Sequence, residues 1–136
     1  KAIVNLGGNI YVYGQKSKFN PDEKWNVGIK NPVNPDGEVI ETVSLKSGSV
    51  VTSGNYERYF EENGKRYHHI LDCKTGYPAE SGLASVSVIY DKSIVCDALA
   101  TACYVSGVNG DFNPYEIGFD GIKIVFIDFN GKPVIK

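Results

Sequence analysis

The sequence predicts an α+β domain, a mostly antiparallel β-sheet with one main helix over about residues 93–107. Short apolar runs alternate with polar or small residues and are separated by glycine-, asparagine- and proline-rich turns, which is typical of half-buried strands. Only the segment at about 94–105 carries apolar residues at helical spacing, and Gly107 follows it as a C-cap signal. With 136 residues the chain has the size of one domain.

The N-terminal half predicts a series of strands. Residues 1–6 and 10–13 flank Gly7-Gly8-Asn9, where paired glycines indicate a bend within the sheet or, alternatively, a ligand close to the backbone. Residues 25–30 and 38–45 follow as strands, separated by a turn-rich segment that ends in Asp36-Gly37.

The C-terminal half predicts the hairpin, the helix and the closing strands. Asn63-Gly64 forms a hairpin tip, and residues 83–90 form the cleanest strand. Asp91 or Ser93 can cap the helix that follows. Residues 122–129 and 133–136 are paired strands joined by a tight turn at 130–131. The helical residues predicted to face the core are Ile94, Val95, Ala98, Leu99, Ala102 and Val105.

Composition and charge argue against two functional classes. The net charge is -2, and the 14 basic residues form no tract denser than Lys65-Arg66, so no electrostatic footprint for nucleic acid is present. No apolar run approaches the length that spans a bilayer.

We expect the three cysteines to be free thiols that are mostly buried. Cys96 and Cys103 share a helix face but are too far apart to form a disulfide. A zinc site built from Cys73, the helical cysteines and a histidine is the alternative, and the absence of a Cys-x-x-Cys pair weighs against it.

Both histidines lie side by side in residues 67–78, the stretch with the most informative chemistry. Neighbouring side chains of an extended segment point to opposite faces, so His68 and His69 cannot line one pocket unless the strand bulges or ends there. We therefore expect only one of them to be a chemical residue.

Two further passages carry polar groups at positions where ligands bind. Thr52, Ser53 and Gly54 follow two core valines, where a strand leaves the sheet. The adjacent Glu57 and Arg58 are interpreted as a surface ion pair of little energetic value.

Asp97 and Thr101 lie one helical turn apart, so their oxygens share a face. A carboxylate and a hydroxyl are hard ligands that suit magnesium better than zinc. The alternatives are a dipole-stabilising aspartate and a threonine that bonds back to its own helix.

Four passages in one order resemble the ApbE family of FAD:protein FMN transferases. They are Gly7-Gly8-Asn9, residues 52–58, residues 69–78 and residues 97–102. The family pattern near the histidine reads His-x-Ile-Asp-Pro-x-Thr-Gly-x-Pro, and here Leu71 is a mild change while Cys73 stands where proline is usual. That departure should loosen the turn without removing a chemical group.

The resemblance implies a transfer of FMN from FAD to a threonine hydroxyl of an acceptor protein, with release of AMP. Asp97 and Thr101 match magnesium ligands, and His69 matches the position of a general base. The resemblance also implies that Asp72 belongs to the catalytic site and that Ser53, Ile70 and Thr75 contact FAD. His68 falls on a variable position.

The resemblance covers the C-terminal portion of such a protein, which agrees with a chain that opens in mid-strand at Lys1. We therefore expect residues 1–136 to be a single domain with the N-terminal part missing, and to be weak or inactive alone. Export and lipid anchoring would depend on that missing part. The alternatives are a flavin- or nucleotide-binding module without turnover, an enzyme that hydrolyses FAD to FMN and AMP, and a domain in which these residues serve only packing and capping.

Overall fold

The structure is a computed structural model that describes residues 1–34, 38–110 and 112–135. The described residues form ten strands, one α-helix and one short 3-10 helix at Pro114–Ile117. The other elements are β1 (Ala2–Asn5), β2 (Asn9–Tyr13), β3 (Trp25–Lys30), β4 (Val39–Leu45), β5 (Gly48–Gly54), β6 (Tyr59–Glu62), β7 (Lys65–His68), β8 (Leu83–Tyr90), α1 (Ser93–Ser106), β9 (Lys123–Asp128) and β10 (Pro133–Ile135).

Six strands form a central sheet in the order β1-β2-β5-β8-β9-β10. Each of its strand pairs is antiparallel. Strands β3 and β4 form a separate antiparallel pair, and so do β6 and β7. The predicted fold class, a mostly antiparallel sheet with one main helix, is therefore confirmed.

The central sheet is covered on both faces. Because successive side chains of a strand alternate, Val51 packs toward α1 whereas its neighbour Val50 packs toward the β3–β4 pair. The first six residues of β8 are all buried, as expected for a strand covered on both sides. The helix-side core includes Val86, Val88, Leu99, Tyr104, Ile124 and Phe126, and the opposite core includes Val12, Val27, Ile29, Val125 and Ile127.

Two of the predicted turns are hairpin turns that need positive φ angles. Gly7 and Gly8 have φ of 74° and 78°, and the Leu6 N–H donates to the Asn9 carbonyl at 2.9 Å, closing the β1–β2 hairpin. At the β6–β7 tip, Asn63 and Gly64 have φ of 51° and 75°. The predicted reversal at Asp36-Gly37 and the final residue of the predicted strand 133–136 lie outside the described residues.

The predicted core face of α1 is partly wrong. Leu99 is buried as expected, but Ile94 is 81% exposed and Ala98 is exposed. Apolar residues run almost all the way round this helix, so sequence periodicity does not fix its rotation. The sheet instead receives Cys96, Ala100 and Cys103, whose small side chains allow a close approach.

The predicted side-chain cap of α1 is also wrong. Lys92 occupies the N-cap position in extended backbone and no side chain caps the helix. Ser93 is the first helical residue, and its Oγ donates to Asn9 Oδ1 at 2.9 Å. This hydroxyl therefore ties α1 to the start of β2 and does not satisfy the helix terminus. The helix ends at Gly107 as predicted, because this residue has φ of 76° and its N–H donates to the Cys103 carbonyl.

The three thiols are free, and Cys73 is exposed whereas Cys96 and Cys103 are buried. Burial raises the pKa of both helical thiols to about 11, so they are inert at neutral pH. The described residues contain no cluster of three or more histidine, cysteine or carboxylate side chains that could hold a metal. In the part of the chain that the structure describes, no helix has the length and apolar character needed to cross a membrane.

The rotation of α1 can be tested with two truncations on the same helix. We expect Leu99→Ala to lower the free energy of unfolding by about 2–5 kcal/mol, because it removes a buried side chain. Ile94→Ala should change it by less than about 0.5 kcal/mol, because that side chain is exposed. Urea denaturation followed by circular dichroism measures both values, and equal losses would contradict the observed rotation.

Candidate active site

Four residues singled out from the sequence line one pocket of about 230 Å³: Ser53, His69, Asp97 and Thr101. The pocket lies where β5 leaves the central sheet and where the middle of α1 packs against that strand. The tertiary fold thus brings together residues separated by as many as 48 positions in the sequence.

The helical oxygen pair is joined to the sheet by a hydroxyl contact. Thr101 Oγ1 lies 3.1 Å from Ser53 Oγ, and it also donates to the Asp97 carbonyl at 3.3 Å. The back-bond to the helix is the expected behaviour of a mid-helix threonine. The contact with Ser53 is additional, and it holds the Thr101 oxygen at the pocket, one turn from the Asp97 carboxylate.

His69 is oriented by a backbone carbonyl. Its Nδ1 lies 3.2 Å from the Arg58 carbonyl oxygen, and a carbonyl can only accept. Nδ1 therefore carries a proton, and in the neutral imidazole this leaves the lone pair on Nε2. This arrangement is the one that a proton acceptor requires, because the tautomer is set by a partner outside the reaction.

Glycine is required at the end of β5 by close packing. A Cβ on Gly54 would lie 2.7 Å from the Tyr56 ring and 3.0 Å from the Ala84 carbonyl oxygen. The Thr52 N–H donates to the Gly8 carbonyl at 2.7 Å, which holds the glycine turn against this strand end. Gly7 and Gly8 also line the pocket, so the turn is both a hairpin and part of the site wall.

Glu57 and Arg58 line the same pocket, which the sequence interpretation missed. They were expected to form a surface ion pair, but the ion pairs among the described residues join other partners. Their position directly after the polar strand end at residues 52–54 was the signal that could have placed them in the site.

Three predicted residues do not line this pocket. Ile70 is 6% exposed and belongs to the helix-side core. Asp72 Oδ1 accepts from the Lys74 N–H at 2.8 Å, and Thr75 Oγ1 accepts from the Tyr77 N–H at 3.3 Å. Asp72 and Thr75 therefore stabilise the turn that follows His69, and the predicted contacts of all three residues to FAD or the site stay predictions.

The neighbouring histidine borders a different cavity. Strand β7 ends at His68, whose buried ring lines a cavity of about 820 Å³ together with Asn55, Lys65 and Tyr104. Its Nε2–H donates to the Ala79 carbonyl at 3.2 Å, and its Nδ1 is buried without a partner. Although this cavity is larger, the carboxylate, hydroxyl and oriented imidazole meet in the smaller pocket.

The oxygen set of the smaller pocket fits magnesium better than zinc. Asp97 and Thr101 supply one carboxylate and one hydroxyl, and both are hard ligands. Magnesium is commonly held by one or two protein carboxylates, with water and substrate phosphate oxygens completing the coordination. The cysteines, which would favour zinc, do not line this pocket.

Comparison with known protein families assigns this antiparallel α+β domain to a family. The ApbE family model matches residues 1–116, and the chain belongs to the ApbE family. It is 48% identical over 111 residues to the FAD:protein FMN transferase of Treponema pallidum, an alignment that covers 78% of this chain and 31% of the relative. For the enzyme of the same name from Klebsiella pneumoniae, identity is 43%, with coverage of 79% and 31%.

Solved structures of the family share the fold. The ApbE protein of Thermotoga maritima superposes with a TM-score of 0.76 at 38% identity, covering 99% of this chain and 41% of that one. The apo flavinyl transferase ApbE of Pseudomonas stutzeri gives a TM-score of 0.64 at 32% identity, with coverage of 98% and 40%. The chain thus spans about a third of the length of the curated relatives.

Burial of His68 makes stability depend on pH. Desolvation lowers the pKa of His68 below its ordinary 6.5, so the unfolded state binds more protons than the folded state in the window below that value. We expect the free energy of unfolding to fall as pH decreases from about 6.5 toward the lower folded pKa. His68→Gln should flatten this decline and His69→Gln should retain it, as measured by urea denaturation between pH 5 and pH 8.

Proposed function

We propose that this chain carries the transfer site of an FAD:protein FMN transferase, which moves FMN from FAD to a threonine hydroxyl of an acceptor protein and releases AMP. The observation that carries the proposal is the meeting of His69, Asp97 and Thr101 at one pocket. Phosphoryl transfer requires little more than positioned reactants, a proton acceptor and neutralised charge, and this pocket offers a residue for each task.

His69 is the proton acceptor in this proposal. The Arg58 carbonyl holds its Nδ1–H, which leaves Nε2 free to accept the proton of the attacking hydroxyl. The base is fixed in orientation before the acceptor arrives, since its partner is backbone.

Asp97 and Thr101 are the residues that would hold magnesium. When bound, the metal supplies neutralisation of phosphate charge. Ser53 supports this pair through its contact with Thr101. The chain's own contribution is to keep the two oxygens one helical turn apart and anchored to β5.

In this proposal the pocket holds the diphosphate of FAD. Its volume is about 230 Å³, whereas sites for drug-sized ligands run from about 300 to 1,000 Å³. The flavin and adenosine ends of FAD would then lie outside this pocket. That these residues form the C-terminal part, and that the native protein is exported and lipid-anchored, stay predictions.

The test measures AMP release and FMN attachment by the protein in its native length, with FAD, magnesium and a threonine-containing acceptor. We expect His69→Asn and Asp97→Asn each to reduce the rate by at least about 100-fold, through loss of the proton acceptor and of the metal ligand. EDTA should abolish the wild-type reaction, and magnesium should restore it.

Matched controls lie close to the site. At pH 8, His68→Gln changes the neighbouring imidazole, and Asp91→Asn changes a carboxylate outside the pocket lining. Both should retain the wild-type rate. Release of FMN and AMP without attachment to the acceptor would identify a hydrolase, and tight FAD binding without either product would identify a binding module. We also expect residues 1–136 alone to be weak or inactive.

A further inference from the structure

The pocket presents an imbalance of charge toward its proposed substrate. Its lining contains two carboxylates, Glu57 and Asp97, and Arg58 is its one residue with a permanently cationic side chain. The diphosphate of FAD is itself dianionic. Magnesium at Asp97 would offset part of this negative charge, but Glu57 would still repel the substrate.

Arg58 is available to provide the balancing charge. Among the described ion pairs, Lys16 pairs with Glu23, Lys46 with Asp22, Lys65 with Glu80 and Arg66 with Glu61. Arg58 takes part in none of them. Arg66 has a second interaction, because its guanidinium also lies 4.0 Å from the centre of the Tyr59 ring.

The backbone fixes Arg58 beside the proton acceptor. Its carbonyl accepts the His69 Nδ1–H at 3.2 Å, so residue 58 cannot move away from the imidazole without breaking that bond. A guanidinium presents a planar fork of donors that matches two phosphate oxygens, and it stays charged at any working pH.

We propose that Arg58 is a substrate-binding residue whose guanidinium clamps the phosphate that departs as AMP. This inference rests on the proposed function. In the reaction, the acceptor threonine Oγ forms a bond to the FMN phosphorus while the bond from that phosphorus to the bridging oxygen breaks. The electron pair of the broken bond stays on the AMP phosphate, and the hydroxyl proton passes to His69 Nε2. The negative charge gained by AMP then lies next to Arg58.

The test uses ADP with magnesium as a probe of the diphosphate site, in the protein of native length. Its readouts are the dissociation constant by titration calorimetry and the rate of AMP release from FAD. We expect Arg58→Ala to weaken ADP binding and to slow AMP release by about tenfold or more, because a bidentate charged contact is lost. Arg58→Lys should recover part of the ADP affinity and part of the rate of AMP release, since lysine restores the positive charge without the planar pair of donors.

Arg66→Ala is the matched control, because it removes a guanidinium that is already paired outside this pocket. It should leave ADP affinity within about twofold of wild type. Equal ADP affinities for wild type and Arg58→Ala, or equal losses in Arg58→Ala and Arg66→Ala, would overturn the clamp. If that occurs while Asp97→Asn still abolishes AMP release, the clamp fails and the proposed function stands. A wild-type protein that neither binds ADP nor cleaves FAD overturns both.

Discussion

The packing of helix α1 against strands β5 and β8 is the constraint on which the site depends. Cys96 and Ala100 are fully buried against the sheet, and their small side chains let the helix backbone come close. At this distance Thr101 meets the hydroxyl of Ser53 across the interface, at 3.1 Å. A bulkier seam would separate the helical oxygens from the strand end and open the pocket. The position of the site's oxygen atoms therefore depends on core packing.

The two adjacent histidines show how one strand end separates two roles. Strand β7 stops at His68, so this ring turns into the protein and is held by the Ala79 carbonyl. His69 lies outside the strand and reaches the pocket, with its tautomer set by the Arg58 carbonyl. Burial penalises the charged form of the first imidazole, whereas the second is exposed and oriented. Position relative to the strand end, rather than residue type, distinguishes them.

Membership of the ApbE family agrees with the few chemical groups that this pocket provides. The pocket supplies groups that suit a diphosphate and a proton, and the turn at residues 72–76 stabilises the segment that carries the imidazole. The alignment with the curated relatives covers 31% of their length, and this pocket lies within the part of the family that the chain represents.

The sequence by itself determined the fold class, the hairpin turn at Asn63-Gly64, the limits of the main helix and the family, because these follow from local periodicity, positive-φ residues and ordered motifs. Only the tertiary structure decided the rotation of α1, since apolar residues run around most of its circumference and Ile94 was available to face either side. It also decided that Ser93 bonds Asn9 instead of capping its helix, and that Glu57 and Arg58 border the pocket. These outcomes depend on contacts between distant segments, which local sequence patterns do not encode.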